Sequence, residues 1–224
     1  NAVFFARPAL RASGTRTGFD TAIDQENRML KHFVFVLALA FVAAAPAARA
    51  QTFAEGVDYT ILQKPIPTDN PAQVEVVEFF WYGCPHCYEF EPSVARWVKE
   101  LPKDVEFKRI PAPLNRNWEI GARVYYTLES LDLLEKLHGP LFDAIHRDRL
   151  RITNERALLQ WLEGKGVDTK KFSAAYRSFT VESKLKRAHQ LSQAAALEGV
   201  PALLVNGKYL VPGQSAARML AIAD

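Results

Sequence analysis

The chain has 224 residues, 49% of them hydrophobic and 24% charged, with a formal net charge of +3. That is enough apolar material for one or two domains with a substantial core. The excess charge belongs to the first fifty residues. Residues 51–224 carry 22 basic and 22 acidic side chains, which removes the electrostatic case for a nucleic-acid or anionic-membrane partner.

Residues 1–28 begin without a methionine and show no periodicity. We read them as upstream codons outside the native product, with Met29 as the initiator. From Met29 the chain has the layout of a cleavable secretory signal. A basic stretch (Lys31, His32) precedes thirteen apolar residues, Phe33 to Ala45, and Pro46 leads into Ala48-Arg49-Ala50. The apolar run is short for a transmembrane helix. Residues 29–50 are therefore expected to be a signal peptide, cleaved to leave Gln51 first and to place the protein in an oxidising compartment.

Residues 51–73 are rich in proline and polar residues and read as an irregular lead-in arm, with a short strand near Tyr59–Leu62. Val74–Phe80 is β-rich and apolar at five of seven positions, as a strand covered on both faces must be. From Pro85 the spacing of Cys87, Phe90, Val94, Trp97, Val98 and Leu101 predicts a helix. Pro85 suits its first turn, and Pro92 should kink it. Val105–Ile110 alternates like a second strand. Residues 115–197 show only helical stripes, among them Trp118/Ala122/Tyr125, Leu134/Leu137/Leu141/Ile145 and Phe172/Tyr176/Phe179. Strand character returns at Pro201–Gly213, where Asn206-Gly207 is a hairpin turn signal, and a helix follows from about Gln214 to Ala223. This last helix looks short, as though the chain continued beyond Asp224. The order predicts an α/β fold in which an all-helical block, 115–197, interrupts a sheet domain formed by 51–114 and 198–224.

Cys84 and Cys87 are the only cysteines, and they stand three positions apart where the strand gives way to the helix. A zinc site lacks further cysteines, and His138, His146 and His189 are scattered without a paired spacing. A structural disulfide closing so small a loop removes little entropy from the unfolded chain. Two core thiols brought together by chance form a third alternative. A dithiol–disulfide redox centre fits the location best, because a helix N-terminus favours an anionic sulfur. Cys84 is then the exposed, acidic sulfur and Cys87 the covered partner. A thiolate pKa of ~4 would stabilise the reduced form by roughly 4 kcal/mol at pH 7, about 90 mV toward oxidising. His86, between the cysteines, is the candidate tuning residue, by donating toward the Cys84 sulfur or by its charge; otherwise it is an exposed loop histidine.

The stretches EFFWYGCPHCYEFEP, Glu78–Pro92, and GVPALLVNGKYLV, Gly199–Val211, resemble the periplasmic thiol:disulfide oxidoreductases of the DsbA family. The likeness covers residues 51–224 and implies a thioredoxin-like fold with an inserted all-helical domain. It implies Cys84 as nucleophile and Cys87 as resolving cysteine within the Cys84-Pro85-His86-Cys87 motif. Val200-Pro201 would be a cis-proline pair beside them, able to bind an extended substrate peptide; by its residues alone Pro201 could equally be an ordinary strand-initiating proline. Glu78 matches a buried acidic residue able to move protons to or from Cys87, the alternative being a paired structural carboxylate. Glu91 and Arg109 resemble its charged neighbours, but Arg109 stands where relatives often have lysine, and a guanidinium does not release a proton.

The expected activity is donation of the Cys84–Cys87 disulfide to newly exported proteins through a mixed disulfide. A reductase or isomerase, or a periplasmic chaperone with incidental cysteines, is the alternative. The resemblance further implies free-thiol secreted proteins as clients and a quinone-linked membrane reoxidase of the DsbB type. No nucleic-acid partner is expected, the chain is read as a monomer, and no cofactor or metal is suggested beyond the redox-active cysteine pair.

Overall fold

Val74–Phe80 forms strand β2, buried along its whole length except at Val74. It is central because it is paired on both sides. Strand β3, Val105–Pro111, runs parallel to it with Glu78 opposite Arg109, and β4, Ala202–Val205, runs antiparallel with Glu78 opposite Leu203. Strand β5, Tyr209–Val211, pairs with β4, and the two-residue β1, Thr60–Ile61, closes the edge, giving the order β1-β5-β4-β2-β3. The computed structural model describes residues 52–224. The expected upstream segment, 1–28, and the expected signal peptide, 29–50, lie outside the described residues.

Alternation along β2 sends its side chains to two faces. Val76 packs with Phe90 and Val94 of helix α1, Pro85–Val98, and with Met219 of the last helix, Ala216–Ala223. Val77 and Phe79 point the other way, toward Leu62, Ala195 and Leu204. Helix α1 continues past Pro92 to Val98. The β4–β5 turn has the positive φ that a tight hairpin demands at both central positions, Asn206 at 50° and Gly207 at 63°.

Five helices lie between β3 and β4: α2, Arg116–Ser130; α3, Leu134–His146; α4, Glu155–Gly164; α5, Thr169–Tyr176; and α6, Phe179–Ala194. The terminal helix Ala216–Ala223 is therefore α7. Side chains of Asn115, Asn154, Asp168 and Ser178 cap α2, α4, α5 and α6 by accepting bonds from free first-turn N–H groups. The helical stripes meet in one cluster with Phe80, Tyr82, Cys84 and Cys87, so the helices pack directly on the cysteine region. One residue of these stripes is left exposed. Phe179 is 86% exposed, because α5 ends at Tyr176 and the chain restarts at the Ser178 cap. The stripe Phe172/Tyr176/Phe179 presumes an unbroken helix, and that break turns Phe179 outward.

Candidate active site

Where β2 ends, the chain turns through Trp81-Tyr82-Gly83 and the helix begins with a sulfur as its N-cap. Cys84 has extended backbone angles, and its Sγ accepts the Cys87 backbone N–H at 3.4 Å, the place a serine or aspartate oxygen usually takes. Pro85 is the first helical residue, where an N–H would have no partner, and the first turn contains no acidic side chain. The Cys84 S–H donates to the carbonyl of Val200 at 3.5 Å, across 116 residues of chain. The Val200–Pro201 bond is cis. Both cysteines are free thiols.

The two sulfurs are unequal in acidity as anticipated, but Cys84 is not exposed. Cys84 is only 7% exposed, shielded by the turn and by Val200, while Cys87 is fully buried. The expectation of an exposed Cys84 is corrected accordingly. Its thiol is nevertheless held down to about 6, first by the hydrogen bond from the Cys87 thiol, against the opposing effect of burial, and then by the backbone N–H groups of Cys87 and His86. Burial pushes Cys87 far above the ordinary thiol range, and its role as donor to Cys84 adds to this.

The His86 ring does not touch the Cys84 sulfur. It is exposed, with Nδ1 at 3.4 Å from Glu89 Oε2, and its charge is the smallest influence on Cys84. The ring faces solvent, so the tuning expected of it falls first to the Cys87 thiol and then to backbone N–H groups.

Glu78, 1% exposed in the middle of the sheet, accepts a bond from Arg109 Nε at 2.9 Å. Burial pushes its carboxyl up to about 7, with Arg109 opposing. Arg109 Nη2 donates to both oxygens of Glu91, at 3.1 and 3.2 Å, so a single guanidinium joins β2, β3 and α1. Beyond Glu91 stand residues that the sequence reading did not select. His138 Nε2 lies 3.4 Å from Glu91 Oε2, and His138 Nδ1 is 2.8 Å from the Tyr82 hydroxyl. His146 Nε2 donates to the Tyr82 carbonyl at 2.8 Å, its ring stacked on Tyr88 at 4.7 Å. The available signal was a histidine set within the apolar stripe Leu134/Leu137/Leu141, with a second one eight residues on and on the same side of the helix.

Beside Cys84 an open groove of 700 Å³ is lined by Leu62, His86, Leu197, Val200, Pro201 and Gln214, among others. In the turn before Cys84, Trp81 stacks face to face on Trp118 at 4.6 Å. Gly83 is required there, since a Cβ would stand 2.3 Å from the Trp81 ring. Among the described residues no three His, Cys, Asp or Glu side chains cluster as a metal site.

The family model for the DSBA-like thioredoxin domain matches residues 114–223. The thiol:disulfide interchange protein DsbA of Pseudomonas aeruginosa is 40% identical over 163 residues, covering 73% of this chain and 77% of that protein. The DsbA of Bordetella parapertussis is 38% identical over 197 residues, covering 86% and 94%. Among solved structures, the crystal structure of Pseudomonas aeruginosa DsbA superposes with a TM-score of 0.73 at 38% identity, over 77% of this chain and 91% of that one. The oxidoreductase DsbA from Xylella fastidiosa gives 0.74 at 30% identity, over 78% and 95%. The fold is thus the thioredoxin-like one carrying a helical insertion that the resemblance implied. With relatives this similar over most of both partners, the chain belongs to the DsbA family of thiol:disulfide oxidoreductases.

Proposed function

We propose that this chain works in the periplasm as a disulfide donor to newly exported proteins, with Cys84 as the sulfur that clients attack. The observation that carries this reading is the Cys84 sulfur at the start of α1, accepting the Cys87 N–H and held at a thiol pKa of about 6. A client thiolate attacks Cys84 Sγ of the oxidised protein, forming a mixed disulfide and breaking the Cys84–Cys87 bond. The departing Cys87 sulfur is buried and strongly basic, so it must leave with a proton. Glu78, half protonated near pH 7, is the residue we assign to supply it. A second client thiolate then attacks the client sulfur of the mixed disulfide, and Cys84 leaves as a stabilised thiolate. The client loses two electrons, and the cysteine pair gains them.

The groove beside Val200 and Pro201 is where we place the extended client, whose backbone can pair there while its cysteine faces Cys84. Return to the oxidised form is assigned to a quinone-linked membrane reoxidase of the DsbB type. The protein acts as a monomer without a cofactor other than its own cysteine pair, in a sheet domain of 51–114 and 198–224 with 115–197 inserted. Export through residues 29–50 leaves a product starting at Gln51, and its intact mass reports whether it does.

Thiolate absorbance of the reduced protein across pH should give a Cys84 midpoint of about 6, absent in Cys84→Ala, which should also lose disulfide transfer to a dithiol peptide. A midpoint near the unperturbed thiol value of about 8.5 would remove the basis for a donor.

A further inference from the structure

The groove beside Cys84 is apolar over much of its wall, with Leu62, Leu197, Leu210 and Pro212 among its lining. Apart from the His86 ring, every described residue that lines it is uncharged except Glu198. Glu198 is exposed and makes no ion pair among the described residues. The cations that could offset it are engaged elsewhere. His86 faces Glu89 at 3.4 Å, and Arg218, at the Gln214 end, donates to Asp58 at 2.8 Å. Glu198 also stands close to the reacting sulfur. It lies two residues before Val200, whose carbonyl accepts the Cys84 S–H at 3.5 Å, and two residues span at most about 7 Å of chain. Residues 51–224 as a whole balance 22 basic against 22 acidic side chains, so the negative charge here is local.

We propose that Glu198 is a specificity-determining residue, which makes the groove favour client segments carrying lysine or arginine within about two residues of the reacting cysteine. Segments with aspartate or glutamate there are disfavoured. This rests on the donor reading above, with the groove as the client's seat, and names the class of client the seat prefers. The exchange of bonds is the one already described; Glu198 takes no part in it. A client cation is attracted to the unpaired carboxylate as the segment docks, and a client carboxylate is repelled over the same distance, so discrimination comes from both signs.

The test uses two end-blocked dithiol peptides that differ only in the residue beside the reacting cysteine, lysine in one and glutamate in the other. Single-turnover oxidation of each by the oxidised protein gives a second-order rate constant. Each constant is divided by the same peptide's rate with a small uncharged disulfide, because a neighbouring charge also changes the peptide's own thiolate fraction. The wild type should prefer the lysine peptide by about fivefold at low salt, with the ratio falling toward one at high salt. Glu198→Gln, a change at an exposed position that keeps the side chain's shape, should abolish the preference, and Glu198→Lys should reverse it. Glu89→Gln, outside the groove lining, should leave it in place. Equal corrected rates for the two peptides with the wild type would overturn the charge selection while leaving the donor reading intact. A preference that survives in Glu198→Gln, or that Glu89→Gln removes as fully, would assign it to other charges and overturn the proposal as well. A wild-type protein that oxidises neither peptide would sink the donor reading, and this proposal with it.

Discussion

A sulfur atom serves here as a helix cap, and its charge state sets the direction of the chemistry. With the thiol at about 6 instead of an unperturbed ~8.5, the reduced form gains about 1.4 kcal/mol at pH 7, roughly 30 mV toward oxidising. That is well below the ~4 kcal/mol that a thiolate pKa of ~4 would bring. The shortfall has two visible causes: Cys84 is largely buried, and the His86 ring stands away from it. Because this folded pKa is depressed, the gain is complete above the unperturbed value and disappears as pH falls through 6. Glu78 runs the opposite way. Its carboxyl is raised from 4.5 to about 7, so the folded state binds its proton more tightly than the unfolded chain does. Stability is then lost as pH rises from 4.5 to 7. Glu78→Gln should match the wild type in denaturant melts below pH 4.5 and exceed it above pH 7, by on the order of 3 kcal/mol. Equal stabilities at pH 8 would contradict the raised carboxyl. Cys84 and Cys87 could be picked out from the sequence because they are the chain's only cysteines and because a strand-to-helix junction is readable. His138 could not, because nothing in a stripe of leucines says which neighbour an isolated histidine will meet.

At the scale of elements, the strands and helices follow from period and punctuation. β2 is legible as a continuous apolar run, and α1 as a 3.6-residue stripe opened by Pro85. The hairpin between β4 and β5 is legible because Asn-Gly tolerates positive φ at both positions. The structure adds a second demand on this turn. A Cβ on Gly207 would stand 1.9 Å from the Ile66 carbonyl oxygen, which accepts no such approach, and the Ile66 N–H in turn donates to the Gly207 carbonyl. Gly207→Ala must therefore bear both left-handed strain and a displaced lead-in arm. The expected cost is about 2–3 kcal/mol, read as a melting temperature lowered by roughly 5–10 °C. A shift under about 2 °C would mean the arm moves aside freely. Phe179 marks the limit of periodicity as a guide, since a stripe continues on paper across a break that Ser178 makes in the backbone.

Across the whole molecule, what periodicity cannot supply is the meeting of distant segments. Glu78, Glu91, Arg109 and His138 come from β2, α1, β3 and α3, and only the strand register and the seating of α3 against α1 bring them into one row. Phe142 is the clearest join between the helical insertion and the cysteine region. Its ring lies within 4.9–6.2 Å of those of Phe80, Tyr82, Tyr88, His138 and His146. Truncation to alanine removes one ring from all these contacts at a site with no exposure to spare. Phe142→Ala should cost about 3–5 kcal/mol while unfolding stays a single cooperative transition. Separate melting of the insertion would show that this join is not what makes the two parts one unit.

The stacked pair of Trp81 and Trp118 lies beside the same turn, three residues before Cys84. Indoles this close share excitation, and a nearby sulfur drains it to a different extent as thiolate and as disulfide. Ultraviolet emission should therefore differ between the reduced and oxidised forms, letting turnover be watched without attaching a label, and equal emission from the two forms would show that the indoles do not sense the cysteine pair.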